Sequence, residues 1–242
     1  MDYYFIFLGL ILLCAIFAGW ASMKVRSTYS AYQDIATASR MTGYDTAVRL
    51  LRANGVNDIK VGRVQGFLSD HYHPTKGVVN LSESTYGNDS VAAVAVAAHE
   101  IGHVMQKKKG YLPYKIRAFL VPLANIGSRL ALPLVLLGLV LDLFVSQTQN
   151  SDLGFYLAMA GVIGYGLSTL FMLATLPVEL DASRRAKKML VGEGVITTHE
   201  LPYAEKMLSA AAMTYLASLL TSLVYFIRFL VWVMILFGRN RD

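Results

Sequence analysis

The chain has 242 residues, of which 55% are hydrophobic and only 16% charged, with a mean hydropathy of +0.46. That is too apolar for a soluble domain of this size and identifies an integral membrane protein. The net charge of +6 does not signal nucleic-acid binding, because Lys and Arg gather in two stretches flanking apolar segments, where lipid headgroups and membrane topology account for them.

Residues 3–23 carry no charge and have the length a helix needs to cross a hydrocarbon layer of roughly 30 Å. No basic residue precedes them, and Lys24 and Arg26 follow, so this first span reads as an uncleaved anchor with its N-terminus outside. A polar segment follows, opening with a helix over Ser39–Asn54 in which Thr42 precedes Ala47, Leu50 and Leu51 and Asn54-Gly55 ends the run. Residues 56–65 and 77–82 read as short strands separated by a polar turn from His71 to Gly77. Next comes an alanine- and valine-rich helix from Ser90 to Lys107, with Lys107, Lys108 and Lys109 as a solvated or headgroup-facing end.

Two further spans, over 118–144 and 153–176, are joined by the short polar stretch 146–152 and therefore form an antiparallel hairpin. A fourth covers 213–237 and carries Arg228, which must snorkel, face a wet cavity or meet an acid such as Asp142. Thirteen Lys and Arg fall in residues 24–117 and five in 177–212, against none in 145–152, so the positive-inside rule puts both basic segments in the cytoplasm. Arg239 and Arg241 would lie outside if the fourth helix crosses fully. The expected architecture is mainly α and polytopic, with about four transmembrane helices and a small α+β cytoplasmic part, all within one membrane-embedded domain over 1–242.

The chemistry is concentrated in His99-Glu100-Ile101-Gly102-His103. Residues four apart share a helix face, so His99 and His103 can direct two imidazoles at one ion while Glu100 stands beside it. The single cysteine, Cys14, lies in the first span and excludes both an intramolecular disulfide and a thiolate site. A catalytic Zn2+ takes three protein ligands and leaves a fourth position to water, so a further carboxylate is needed. Glu179, in Pro177-Val178-Glu179-Leu180-Asp181-Ala182-Ser183-Arg184-Arg185-Ala186, is the candidate, returned to the cytoplasmic side by the hairpin. Asp181 competes, but two residues correspond to about 200° around a helix, so both cannot face one ion; Asp181 better suits a supporting role. His199 and Arg184 or Arg185 are candidates to stabilise an oxyanion and His71 to line the cleft, although a surface cap or ordinary turn explains His199 and His71 as well.

The order of a single span, an H-E-x-x-H helix, a two-span hairpin and a Glu-containing helix ending in Ala-x-Arg-Arg-Ala resembles the membrane zinc metallopeptidases of the HtpX and CAAX prenyl protease type, with serine at position 183 where those proteins carry aspartate. The chain is more similar still to the YugP-like family of bacterial neutral zinc metallopeptidases, through Leu68-Ser69-Asp70-His71-Tyr72, Ala97-Ala98-His99-Glu100-Ile101-Gly102-His103 and Glu179-Leu180-Asp181-Ala182-Ser183-Arg184-Arg185. This resemblance implies a gluzincin-like fold on membrane helices, a polypeptide substrate and binding of that substrate in extended form along a strand near the active-site helix. Val78–Leu81 is the candidate strand edge.

The expected function is that of a zinc metalloendopeptidase of the bacterial cytoplasmic membrane, active on membrane or membrane-associated proteins, with Glu100 as general base. Two alternatives remain open. One is a site-two-type intramembrane protease using Leu180-Asp181, which the half-length apolar run before His99 and the lysines after it disfavour. The other is a non-catalytic scaffold or adaptor closed around structural zinc by a fourth ligand such as His71, His73 or His199. Oligomeric state and protein adaptors are not legible in the residues.

Overall fold

The computed structural model describes residues Asp2–Ser146 and Asp152–Gly238. In chain order the elements are α1 (Asp2–Tyr32), α2 (Gly43–Ala53), β1 (Lys60–Val64), β2 (His71–His73), β3 (Val78–Ser82), α3 (Glu83–Tyr86), α4 (Val91–Lys108), α5 (Leu112–Leu141, continued by a π turn to Ser146), α6 (Leu153–Gly192) and α7 (Leu201–Gly238). Four helices, α1, α5, α6 and α7, are long and apolar enough to cross a membrane, so the protein is mainly α and polytopic. Each outruns the apolar segment that announces it. Hydropathy marks only the lipid-compatible part, whereas backbone hydrogen bonding carries a helix on into polar sequence. Residues 147–151 of the expected hairpin loop, and Arg239 and Arg241, lie outside the described residues.

Contacts divide the chain into two compact units. The first comprises Met1–Ala18, Ile116–Leu176 and Leu216–Asp242. Here α5 and α6 approach through small residues. A Cβ added to Gly127 would collide with the Gly164 carbonyl, one on Gly161 would sit 2.6 Å from the Ala131 oxygen, and one on Gly138 would sit 2.5 Å from the Gly154 oxygen. The falling partner numbers show antiparallel packing, which close backbone approach favours where lipid supplies no hydrophobic drive. Thr169 and Ser222 hydroxyls, 3.0 Å apart, join α6 to α7.

The second unit comprises Gly19–Lys115 and Pro177–Tyr215. At its centre is α4, buried on nearly every side, which explains why Ala and Val fill it rather than an amphipathic stripe. Tyr29, Leu50, Leu81, Leu190 and Met207 pack around it with essentially no exposure. Thr42 caps α2 through a capping box with Asp45, and Asn54 and Gly55, the latter at φ +68°, end the helix.

Beside α4 lies a three-stranded sheet ordered β1-β3-β2, with β1 parallel and β2 antiparallel to β3. Two expectations change here. His71–His73 is a strand rather than part of a turn, because His71 pairs with Asn80 and His73 with Val78. As a result Val78–Leu81 occupies the centre of the sheet and cannot be its free edge; β1 and β2 are the edges. The lysines in the last turn of α4 also differ from a purely solvated end: Lys107 donates to the Pro74 carbonyl at 2.6 Å and Lys108 to both Asp58 carboxylate oxygens at 2.7 Å.

Glu200 ties the start of α7 to the chain after α1. Its carboxylate accepts from Ala38 N–H at 2.7 Å, and from the Thr197 N–H and hydroxyl at 2.7 and 2.9 Å. Burial pushes this carboxyl up, but those hydrogen bonds outweigh it and hold the group below its ordinary value. A depressed acid stabilises above its unfolded value and loses that contribution as pH falls through the folded one. Glu200→Ala is therefore expected to cost about 1 kcal/mol of local stability at neutral pH, solvent screening keeping the figure small. Amide exchange at Ala38 and Thr197 should be faster in the variant at pH 7 and converge with the wild type in acid; equal protection at pH 7 would contradict the role.

Candidate metal centre

Placed on successive turns of α4, His99 and His103 face α6 with rings 4.8 Å apart. Glu179, only 1% exposed, comes from α6 to meet them: its Oε2 lies 3.1 Å from His99 Nε2 and 3.3 Å from His103 Nε2. The three donor atoms all fall within 4.8 Å of one another. Both imidazoles are held from behind. His99 Nδ1 is 3.1 Å from the Ser183 hydroxyl, and His103 Nδ1 is 3.0 Å from Gln106 Oε1. An N–H at each Nδ1 would donate outward and leave each Nε2 lone pair for the centre.

Close contact between α4 and α6 makes this convergence geometric. Gly102 sits against the backbone of Ala182, so that an added Cβ would lie 2.5 Å from the Ala182 oxygen and 3.0 Å from its carbonyl carbon and Cα. Gly102→Ala should force the helices apart at a cost of about 1–3 kcal/mol. It should also weaken zinc binding by roughly 10–100-fold, with every donor intact. Competition with a chromogenic chelator measures this; unchanged affinity would show that the contact does not set the donor spacing.

Gln106 is fully buried and was missed from sequence, although it follows His103 by one helical turn and shares its face. Its amide Nε2 donates to the Val178 carbonyl at 2.7 Å and to Asp181 Oδ2 at 3.0 Å. Asp181 is in turn held by Arg185 Nε at 2.6 Å. The sequence Arg185, Asp181, Gln106, His103 is thus one hydrogen-bonded chain, and Asp181 faces away from the donor cluster. Ser183 supplies the partner of His99.

Glu100, 8% exposed, shares with His99 a cavity of about 320 Å³. Burial pushes its carboxyl above the usual range; the neighbouring histidines pull it down and Asp70 and Glu179 push it further up. Burial alone would lower His103, but the hydrogen bond and charge of Glu179 reverse that and raise it. Arg26 from α1, Asp70 from the β1–β2 connection and Tyr215 from α7 also line the cavity. No local motif marks Arg26 or Tyr215, since they belong to long apolar helices and arrive by tertiary folding. Asp70 is fixed by the Ser82 N–H at 2.8 Å and hydroxyl at 2.7 Å, just after Leu68 adopts a left-handed φ of +52°.

Three further candidates lie elsewhere. His199 is exposed in the turn before α7. Arg184, its side chain 67% exposed, stays 3.9 Å from Asp181. His71 is exposed on β2, its ring nitrogens 2.9 Å from the Ser69 carbonyl and 3.1 Å from the Asn80 amide. None of them lines the cavity shared by His99 and Glu100. A polar residue near a motif in sequence, or on the same side of a membrane, need not face it.

Two neutral imidazoles and a buried carboxylate, backed by outward hydrogen bonds, fit a zinc ion. Residues 5–234 match the family described as "Putative neutral zinc metallopeptidase", and the chain belongs to that family. It is 40% identical to the "Putative membrane protease YugP" of Bacillus subtilis (strain 168) over 238 residues, covering 98% of this chain and 99% of that protein. No solved structure matches it.

Proposed function

We infer that the protein is a membrane zinc endopeptidase that holds one Zn2+ on His99, His103 and Glu179 and uses Glu100 as its general base. The observation that carries this reading is the convergence of three donor atoms within 4.8 Å beside a cavity that Glu100 lines. Zinc bound there would supply Lewis acidity, polarising a scissile carbonyl and acidifying a water. The chain's own residues do the rest. Ser183 and Gln106 orient the imidazoles, and Glu100 takes a proton from the attacking water and delivers it to the leaving amine.

Three donors without a fourth in the cluster support catalytic over structural zinc among the described residues. Engagement of Asp181 with Gln106 and Arg185 supports Glu179 over the Leu-Asp alternative. An extended polypeptide would pair with the edge of β2, which follows directly from cavity-lining Asp70. The basic residues in 24–117 and 177–212 support a cytoplasmic site in the bacterial cytoplasmic membrane, with membrane or membrane-associated proteins as substrates. Comparing new protein N-termini in cells expressing wild type and Glu100→Gln tests activity and substrate class together. Termini present only with the wild type are expected, whereas identical sets would refute endopeptidase action.

A further inference from the structure

A second cavity, of about 560 Å³, lies within the apolar unit among α1, α5 and α7, and the proposed peptidase chemistry makes no use of it. Its volume falls in the range of small-molecule sites. Tyr3, Tyr4 and Phe7 from α1 and Tyr225, Phe229 and Trp232 from α7 contribute to walls that are otherwise aliphatic, with one exception, Arg228. Among the described residues no carboxylate lines the cavity, and Arg228 makes no ion pair with the expected Asp142 or any other described acid.

A guanidinium within a membrane-spanning helix is expensive unless water, an anion or the interface receives it. Here it has five donors, a fixed positive charge and apolar surroundings. The complement to such a site is an amphiphile with an anionic head and hydrocarbon chains. Tyr3 and Tyr4 suit the headgroup end, since phenol rings with polar tips favour the membrane–water boundary. Phe7 and Trp232 offer apolar surface to the chains. A free inorganic anion would not use that surface, and a zwitterionic lipid would bring its own headgroup cation against Arg228.

We propose that this cavity is a binding site for an anionic glycerophospholipid, whose phosphate pairs with Arg228 and whose acyl chain packs along Phe7 and Trp232. The ligand is a resident of the bilayer and occupies the site independently of zinc and of peptide substrate.

Trp232 provides a direct readout. The chain has two tryptophans, so Trp20→Phe leaves Trp232 as the sole reporter. The full-length protein would be reconstituted into phosphatidylcholine vesicles containing a small, equal fraction of acyl-brominated phosphatidylglycerol or acyl-brominated phosphatidylcholine, whose bromines quench nearby indole. A preference for phosphatidylglycerol on the order of tenfold is expected, as a charge-assisted hydrogen bond supplies. Arg228→Gln should abolish the preference and Arg228→Lys should retain most of it. Equal quenching by the two lipids in the Trp20→Phe protein would overturn the proposal without recourse to any Arg228 variant. A preference that survives in folded Arg228→Gln would overturn it as well.

Discussion

Glu100→Gln should retain one zinc per chain and lose peptide cleavage by roughly 10²–10⁴-fold, the range that a positioned general base supplies and about 3–5 kcal/mol of barrier. The side chain is buried in the middle of α4, and glutamine keeps its shape while removing a carboxylate whose ionisation burial already opposes. Folding therefore has no reason to suffer. His99 and His103 keep their partners on Ser183 and Gln106, so the donors remain in place. Zinc content by mass spectrometry and kcat/KM in proteoliposomes separate the two effects. Full activity with full zinc would remove Glu100 from the mechanism, while loss of zinc would mean that it supports the metal instead.

Removing the proposed third ligand should have the larger effect on the metal itself. Glu179→Ala takes away the carboxylate that faces both Nε2 atoms and leaves two imidazoles in a buried pocket without their anionic partner. Zinc affinity should fall by more than the roughly 10–100-fold that a supporting residue costs, and activity should fall with it. Asp181→Asn is the matched control. It disturbs the hydrogen bonds to Gln106 and Arg185 but leaves the donor cluster, so it should weaken zinc only within that smaller range. Zinc titrations on both proteins decide the assignment: retained affinity in Glu179→Ala together with its loss in Asp181→Asn would exchange the two roles.

Much of this architecture is local and therefore readable in advance. Thr42 starts α2 and Asn54-Gly55 ends it, because capping hydrogen bonds are made within a few residues. The hairpin of α5 and α6 follows from two apolar runs joined by a short polar connection, and their antiparallel contact at Gly127 and Gly164 agrees. Position on α4 placed His99 and His103 together by helical period alone. Less local features were misjudged. His71–His73 is too short and too polar to announce a strand; it becomes one because Asn80 and Val78 lie alongside. That pairing also moves β3 to the centre, and strand order involves residues that propensity cannot compare.

By itself, the amino-acid sequence determined the helical spans, the spacing of two imidazoles and the chemistry class implied by H-E-x-x-H beside a distant carboxylate, since composition and helical period act over short distances. Only the tertiary structure decided that Glu179 rather than Asp181 meets both Nε2 atoms, that Gln106 and Ser183 hold the imidazoles from behind, and that β2 forms a sheet edge. Those facts depend on where α4 touches α6. Gly102 permits that contact by presenting no side chain to Ala182. Which residues share such a contact is a property of packing between segments remote in sequence, and no local pattern encodes it.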